Sequence, residues 1–231
     1  MSEMTIPVEP LVPLASSHDR ILASAKRLFA SQGYEATSTM AIARLAGTSE
    51  SQMMKHFGSK EGLLEAILDD GWKGMDSALK QIEPMPAGAP KLMAMLEVVI
   101  DTLTQDPDLK ELYLLEGRRI RREGRHVVLS PGYLRFVKLV GDTLKTMAAT
   151  GQLRPGISPD AVRSGIMGMA EGVMRDQVLA RRRGEFSADY TDQDFKVLYA
   201  ACLHGMTVRT STPASKAKAR TKPKRVTPRK R

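Results

Sequence analysis

The segment from Gly33 to Leu63, GYEATSTMAIARLAGTSESQMMKHFGSKEGL, constrains this chain more than any other stretch. Its glycines and hydroxyl side chains fall at intervals that suit two short helices joined at a tight turn, followed at once by a longer third. Thr37, Ser38 and Thr39 offer side-chain oxygens to the free amides of a helix start, just ahead of Met40, Ile42, Ala43 and Ala46. Ile42, Ala43 and Ala46 share one helical face. Gly47 accepts the left-handed conformation that closes such a helix. Thr48 or Ser49 then caps a second helix from about Glu50 to His56. On it Met53 and Phe57 point inward, Glu50, Ser51, Gln52, Lys55 and His56 point outward, and Met54 sits near the edge. Gly58-Ser59 breaks the chain again, and Lys60 opens the third helix.

A short helix held out on a tight turn with a polar outer face suits the major groove of DNA. Lys60 fits the same picture. A helix N-terminus already carries free amides and partial positive charge, so a lysine there suits a bound phosphate better than it suits the helix. The alternative is a surface lysine whose stem lies along apolar neighbours. The expected DNA-contacting set is therefore Thr37, Ser38, Thr39, Glu50, Ser51, Gln52, Met54, Lys55, His56 and Lys60, with Ser38, Thr39 and Lys60 on phosphates.

From His18 to about Trp72 the chain resembles the N-terminal domain of TetR-family transcriptional regulators. The resemblance rests on Leu28-Phe29, Gly33-Tyr34, Thr37-Ser38, Ile42-Ala43, Ala46-Gly47, Ser49, His56-Phe57, Ser59-Lys60-Glu61 and Leu63-Leu64. Two positions depart from the family pattern. Met54 stands where a tyrosine often reaches a phosphate, and Ser51 where glycine is frequent. Met54 has no hydroxyl to donate but can pack on a sugar or a thymine methyl. Glu50 either accepts from a cytosine amino group or stays solvated. The operator sequence therefore does not carry over from relatives.

Charge is distributed unevenly. Of the formal net charge of +9, ten basic residues lie between Arg209 and Arg231, with no acid among them. The remaining 208 residues therefore carry −1 (9 minus 10). The Ala, Pro, Ser, Thr and Lys composition of that tail is expected to stay disordered and, as a coil, to span roughly 26 Å. It is either an aid to non-specific DNA affinity or a solubilising extension. The expected organisation is an N-terminal arm (1–16), a helix-turn-helix domain (17–62), a helical effector-binding and dimerisation domain (63–208) and the basic tail (209–231).

Between the DNA-binding segment and the tail the pattern is all-α. Apolar stripes predict a long fourth helix through Trp72 and Leu79, and a fifth from Leu92 to Leu103. A sixth runs from Leu109 to about Arg122, closed by Gly124, and a seventh from Tyr133 to Met147. An eighth starts at Ser158-Pro159-Asp160, and a last one at Thr191 or Asp192. No strand and no internal repeat is evident. The family resemblance implies that the last two helices pair with a second copy. Gly165, Ile166, Met169, Val173, Leu198 and Cys202 are the interface candidates, with ordinary intramolecular core as the alternative. A homodimer also matches a palindromic site. The resemblance further implies an effector cavity enclosed by the fifth to the eighth helices, with Met95, Tyr113, Tyr133, Phe136, Met167 and Glu171 as candidate lining. Glu116 and Glu171, if buried, suit a cationic or hydroxylated effector. Arg118, Arg119, Arg121, Arg122 and Arg125 either receive an anionic head group or form a solvated face. The 14 methionines suit adaptable packing, as core or as pocket wall.

Enzymatic readings find little footing. His18, His56, His126 and His204 lack metal-site spacing, and there is no phosphate-binding glycine loop or nucleophile elbow. No cofactor and no metal is expected. The lone Cys202 excludes an intramolecular disulfide, and no apolar run approaches a membrane span, so a cytoplasmic location without membrane contact is expected. The expected function is sequence-specific transcriptional regulation by a dimer that binds double-stranded DNA and is released from a palindromic operator by a small-molecule effector. The alternative is an effector-independent DNA organiser dominated by its tail.

Overall fold

A computed structural model describes residues 16–116, 130–182 and 187–208. Within them the chain forms nine α-helices: α1 (Ser17–Gln32), α2 (Thr39–Leu45), α3 (Glu50–Phe57), α4 (Lys60–Ile82), α5 (Ala89–Gln105), α6 (Pro107–Leu115), α7 (Pro131–Ala149), α8 (Pro159–Arg182) and α9 (Asp192–Met206). The only extended pairing among these residues is an isolated antiparallel bridge between Leu153 and Thr207, which ties the end of α9 to the turn after α7. The all-α expectation is met. The N-terminal arm up to residue 15, the basic tail, Arg118 to Arg125, His126 and the expected end of the sixth helix lie outside the described residues.

Local chemistry explains where the helices begin. Ser16 and Asp19 form a reciprocal capping box on α1, and Thr191 and Asp194 form another on α9. Ser38, Ser49 and Ser59 cap α2, α3 and α4, each accepting a backbone N–H two or three residues into its helix. Proline occupies the first turn of α5, α6 and α7, where its missing N–H costs nothing. Gly47 (φ +63°) and Gly58 (φ +72°) sit in the left-handed region at the two corners around α3, a conformation that L side chains rarely adopt.

The amphipathic faces close one continuous core. Ile21, Ala25 and Phe29 of α1 meet Ile42, Met53, Leu63 and Leu64, and the same cluster continues through Trp72, Met95, Leu103, Leu112, Leu144 and Phe195. Helix α4 packs on α5, α1 on α6, and α7 on α8. The expected domain boundary after residue 62 falls inside α4, which runs unbroken from the base of α3 into the C-terminal half. No helix among the described residues is long and apolar enough to cross a membrane.

Candidate nucleic-acid interface

Helix α3 is held by one buried residue. Met53 is fully enclosed, Phe57 packs partly against the core, and the His18 ring lies 4.9 Å from the Phe57 ring. The turn ahead of α3 is clamped from α1, where Arg20 Nε donates to the Ala46 carbonyl at 3.1 Å. Glu50, Ser51, Met54, Lys55 and His56 are consequently exposed, and Gln52 is half-buried.

Several of these outward side chains are engaged within the head. The Thr39 hydroxyl donates to a Glu50 carboxylate oxygen, which joins the start of α2 to the start of α3. His56 Nε2 lies 3.1 Å from Ser17 Oγ and 3.3 Å from Gln52 Nε2. Glu50 is therefore held by a neighbour, a third outcome beside the two sequence alternatives. Ser38 is exposed and its hydroxyl accepts from the Ala41 amide. Lys60 sits with its ammonium 4.3 Å above the Tyr34 ring centroid and 3.5 Å from the Glu35 carbonyl, at the N-terminus of α4. This places a cation and a helix N-terminus at one edge of the head.

Thr37 is a correction. It is 1% exposed, and its hydroxyl donates to the Gly33 carbonyl at 2.8 Å and the Leu28 carbonyl at 3.3 Å. It closes the turn after α1 and cannot touch DNA. Three exposed residues of α2 escaped the sequence reading, Met40, Arg44 and Leu45. The available signal was the helical period, since Met40 lies two positions before the inward Ile42. Near α1, the Ser16 hydroxyl and then His18 hold the Asp19 carboxyl below its ordinary value.

The second candidate site is a tightly packed cleft with a free volume of about 40 Å³ between α4, α5, α6, α7, α8 and α9. Of the candidate lining residues, Met95, Tyr113, Phe136, Met167 and Glu171 come together in its wall. Tyr133 does not line it. Its ring lies behind, 5.8 Å from Trp72 and 6.3 Å from Tyr113. Trp72 forms the hub of this aromatic group, with the Phe136 ring at 5.0 Å, and itself faces the cleft. Ile166, expected at a dimer surface, is 2% exposed and lines the cleft instead. On the wall, burial pushes the Tyr199 phenol upward, so it stays a neutral hydrogen-bond donor.

The other interface candidates remain available. Gly165 and Leu198 are exposed, while Met169, Val173 and Cys202 are half-buried. Val197, missed by the sequence reading, is 60% exposed beside Leu198. No group of three or more His, Cys, Asp or Glu that could hold a metal ion occurs among the described residues.

Residues 21–67 match the family model described as bacterial regulatory proteins, tetR family. The chain is 29% identical over 140 residues to the uncharacterized HTH-type transcriptional regulator YvkB of Bacillus subtilis, spanning 61% of this chain and 72% of that one. It is 26% identical over 149 residues to the HTH-type transcriptional repressor KstR2 of Mycolicibacterium smegmatis, covering 64% and 73% of the two chains. Its fold is similar to that of the transcriptional regulator FadR from Bacillus subtilis in complex with stearoyl-CoA. That match has a TM-score of 0.68 at 18% identity and covers 80% of this chain and 96% of that one. The capped α2–turn–α3 geometry agrees with the family match and the regulator relatives: residues 21–67 form a helix-turn-helix, DNA-binding domain of the tetR family of transcriptional regulators.

Proposed function

We propose that the chain is a homodimeric repressor that reads a palindromic operator with α3 and is released when a small molecule occupies the cleft around Trp72. The observation that carries this reading is the continuity of α4. Its N-terminus bears Lys60 beside the reading helix, and twelve residues later, about 18 Å along the axis, it presents Trp72 to the cleft. A ligand that displaces Trp72 must tilt or shift α4, and with it the head. Helix α6 offers a parallel route. Its capping Asp106 pairs with Lys26 of α1 at 2.5 Å, while its Tyr113 stands in the cleft wall.

Phosphates are assigned to Ser38, Thr39 and Lys60, and the groove to Ser51, Gln52, Lys55 and His56. Gly165, Met169, Val173, Leu198 and Cys202 are assigned to the dimer surface, without Ile166. The cleft wall is mainly methionine, aromatic and aliphatic, which suits the apolar part of an effector. The stearoyl-CoA bound to FadR is the guide to ligand class, and Glu171 disfavours a free carboxylate close to it. Release requires that the effector bind the non-reading state more tightly than the reading state. No catalytic role is assigned, and the site of action is the cytoplasm.

One observation favours a second reading: ten basic residues in the tail supply more than the whole net charge. In that reading the tail dominates DNA affinity and no effector acts. Selection of bound DNA from a random pool separates the two. The repressor reading expects an enriched motif with twofold symmetry, retained when residues 209–231 are deleted, together with a shallower salt dependence. Loss of enrichment with the tail favours the organiser. Trp72 is the only tryptophan of the chain, so its fluorescence reports cleft occupancy. Stearoyl-CoA is expected to change that emission and to release selected DNA over the same concentration range.

A further inference from the structure

Seven large apolar side chains are markedly exposed among the described residues, and three of them, Met40, Leu45 and Met54, lie within α2 and α3. Met40 is 69% and Met54 40% exposed. The bond from Thr39 to Glu50 links their surroundings. Met40 follows Thr39 at the start of α2, and Met54 lies one turn beyond Glu50 on the same face of α3.

Some of the polar groups around them are engaged within the head. Glu50 accepts from Thr39, and His56 is engaged by Ser17 and Gln52. Hydrogen-bond readout of bases by Glu50 and His56 competes with these internal bonds. The surrounding charge is positive, because residues 37–60 contain Arg44, Lys55 and Lys60 against the single acid Glu50. An apolar pair set among cations suits a partner that has phosphates at its edges and apolar groups between them. The major groove supplies such a group at one base, the 5-methyl of thymine. Methionine, unbranched and polarizable, adapts to it without demanding one fixed geometry.

We propose that Met40 and Met54 are specificity-determining residues that select thymine methyl groups in the operator. The proposal rests on the reading of α3 as the groove-entering helix. Within that frame it assigns base preference to apolar contact as well as to polar side chains, and it brings α2 into the reading surface.

The test uses the full chain and a duplex selected from a random pool. Each thymine is replaced in turn by deoxyuridine, which removes the methyl and leaves pairing intact. Binding is expected to weaken about three- to five-fold at two or more clustered positions in each half-site, and to stay unchanged elsewhere. Met40→Ala is expected to abolish the response at one such position and Met54→Ala at another. Met→Leu variants should retain most of it. Circular dichroism of the variants checks that the exposed substitutions leave the fold intact.

Specific binding that ignores every deoxyuridine replacement overturns the proposal and leaves the reading of α3 standing. Unaltered affinity and preference in both alanine variants also overturns it. Failure of the chain to select any sequence overturns both the proposal and the reading on which it rests.

Discussion

The reading head and the cleft half are built by different means. From Ser16 to Ser59 the head adds a dense set of side-chain hydrogen bonds to its buried core: four serine caps, the Thr37 hydroxyl in its turn, Arg20 on the Ala46 carbonyl, and Thr39 on Glu50. The cleft half is positioned by side-chain packing around Trp72, with methionines in its wall and the glycines of α8 on that helix's outer face. The head must present one geometry to DNA, and directional bonds define one geometry. The cleft half must accept a ligand and rearrange, and soft packing permits several arrangements of similar energy.

Substitutions at each end of this contrast should behave differently. The largest effect is expected at Gly132. An added Cβ there would stand 2.2 Å from Trp72 Cβ, so Gly132→Ala forces α7 away from α4. Urea unfolding should show a loss of about 1–3 kcal/mol, and Trp72 emission should change. A neutral result would mean that the α4–α7 contact is looser than the account requires.

In the head, Ser49→Ala removes the cap of α3 and is expected to cost about 1 kcal/mol in the same measurement. It should also weaken DNA binding by destabilising the start of the helix. An unchanged affinity would show that α3 is held by packing alone, like the cleft half.

Gly168 gives a test whose sign is informative. A Cβ there meets nothing within 4 Å in the single chain, so Gly168→Ala should stabilise α8 of an isolated chain by up to about 1 kcal/mol. If α8 lies against a second copy, the methyl should instead weaken the dimer. Sedimentation equilibrium across a dilution series distinguishes the two outcomes, and tighter association would contradict the proposed interface.

The smallest effect concerns the two capping boxes. The Ser16 hydroxyl and then His18 lower the Asp19 carboxyl, and the Thr191 amide and then its hydroxyl lower Asp194, both from an ordinary value of 3.8. A lowered folded-state value means that the stabilisation is present above 3.8 and is lost as pH falls through the lower, folded-state value. Both groups are fully exposed, so global stability should change little. Amide exchange in the first turns of α1 and α9 should nevertheless accelerate in that acid range, and Asp19→Asn should remove the pH dependence in α1 alone.

This contrast also explains what was legible in the sequence. Caps, glycine corners and apolar periods are local signals, so the all-α class, the expected order of elements and the outward face of α3 could be read directly. Thr37 could not be placed, because a hydroxyl near a helix start looks the same whether it meets a phosphate or closes a turn. Met40 was overlooked because methionine reads as core, although its period placed it outside. Five of the six expected cleft residues came together because they share inward stripes on their own helices. Tyr133 and Ile166 went astray because cleft lining depends on how helices rotate against one another. Ile166 adjoins Gly165 in sequence, yet about 100° of rotation separates the cleft from the outer face.

The central claim, that α3 reads sequence while the N-terminus of α4 holds the backbone, is tested most directly by two variants on two DNAs. Equilibrium binding of Gln52→Ala and Lys60→Ala should be measured on the selected operator and on random duplex at one salt concentration. Lys60→Ala is expected to lose the same several-fold affinity on both, and Gln52→Ala to lose affinity on the operator alone, with an altered base preference. Equal losses on both DNAs for both variants would contradict it.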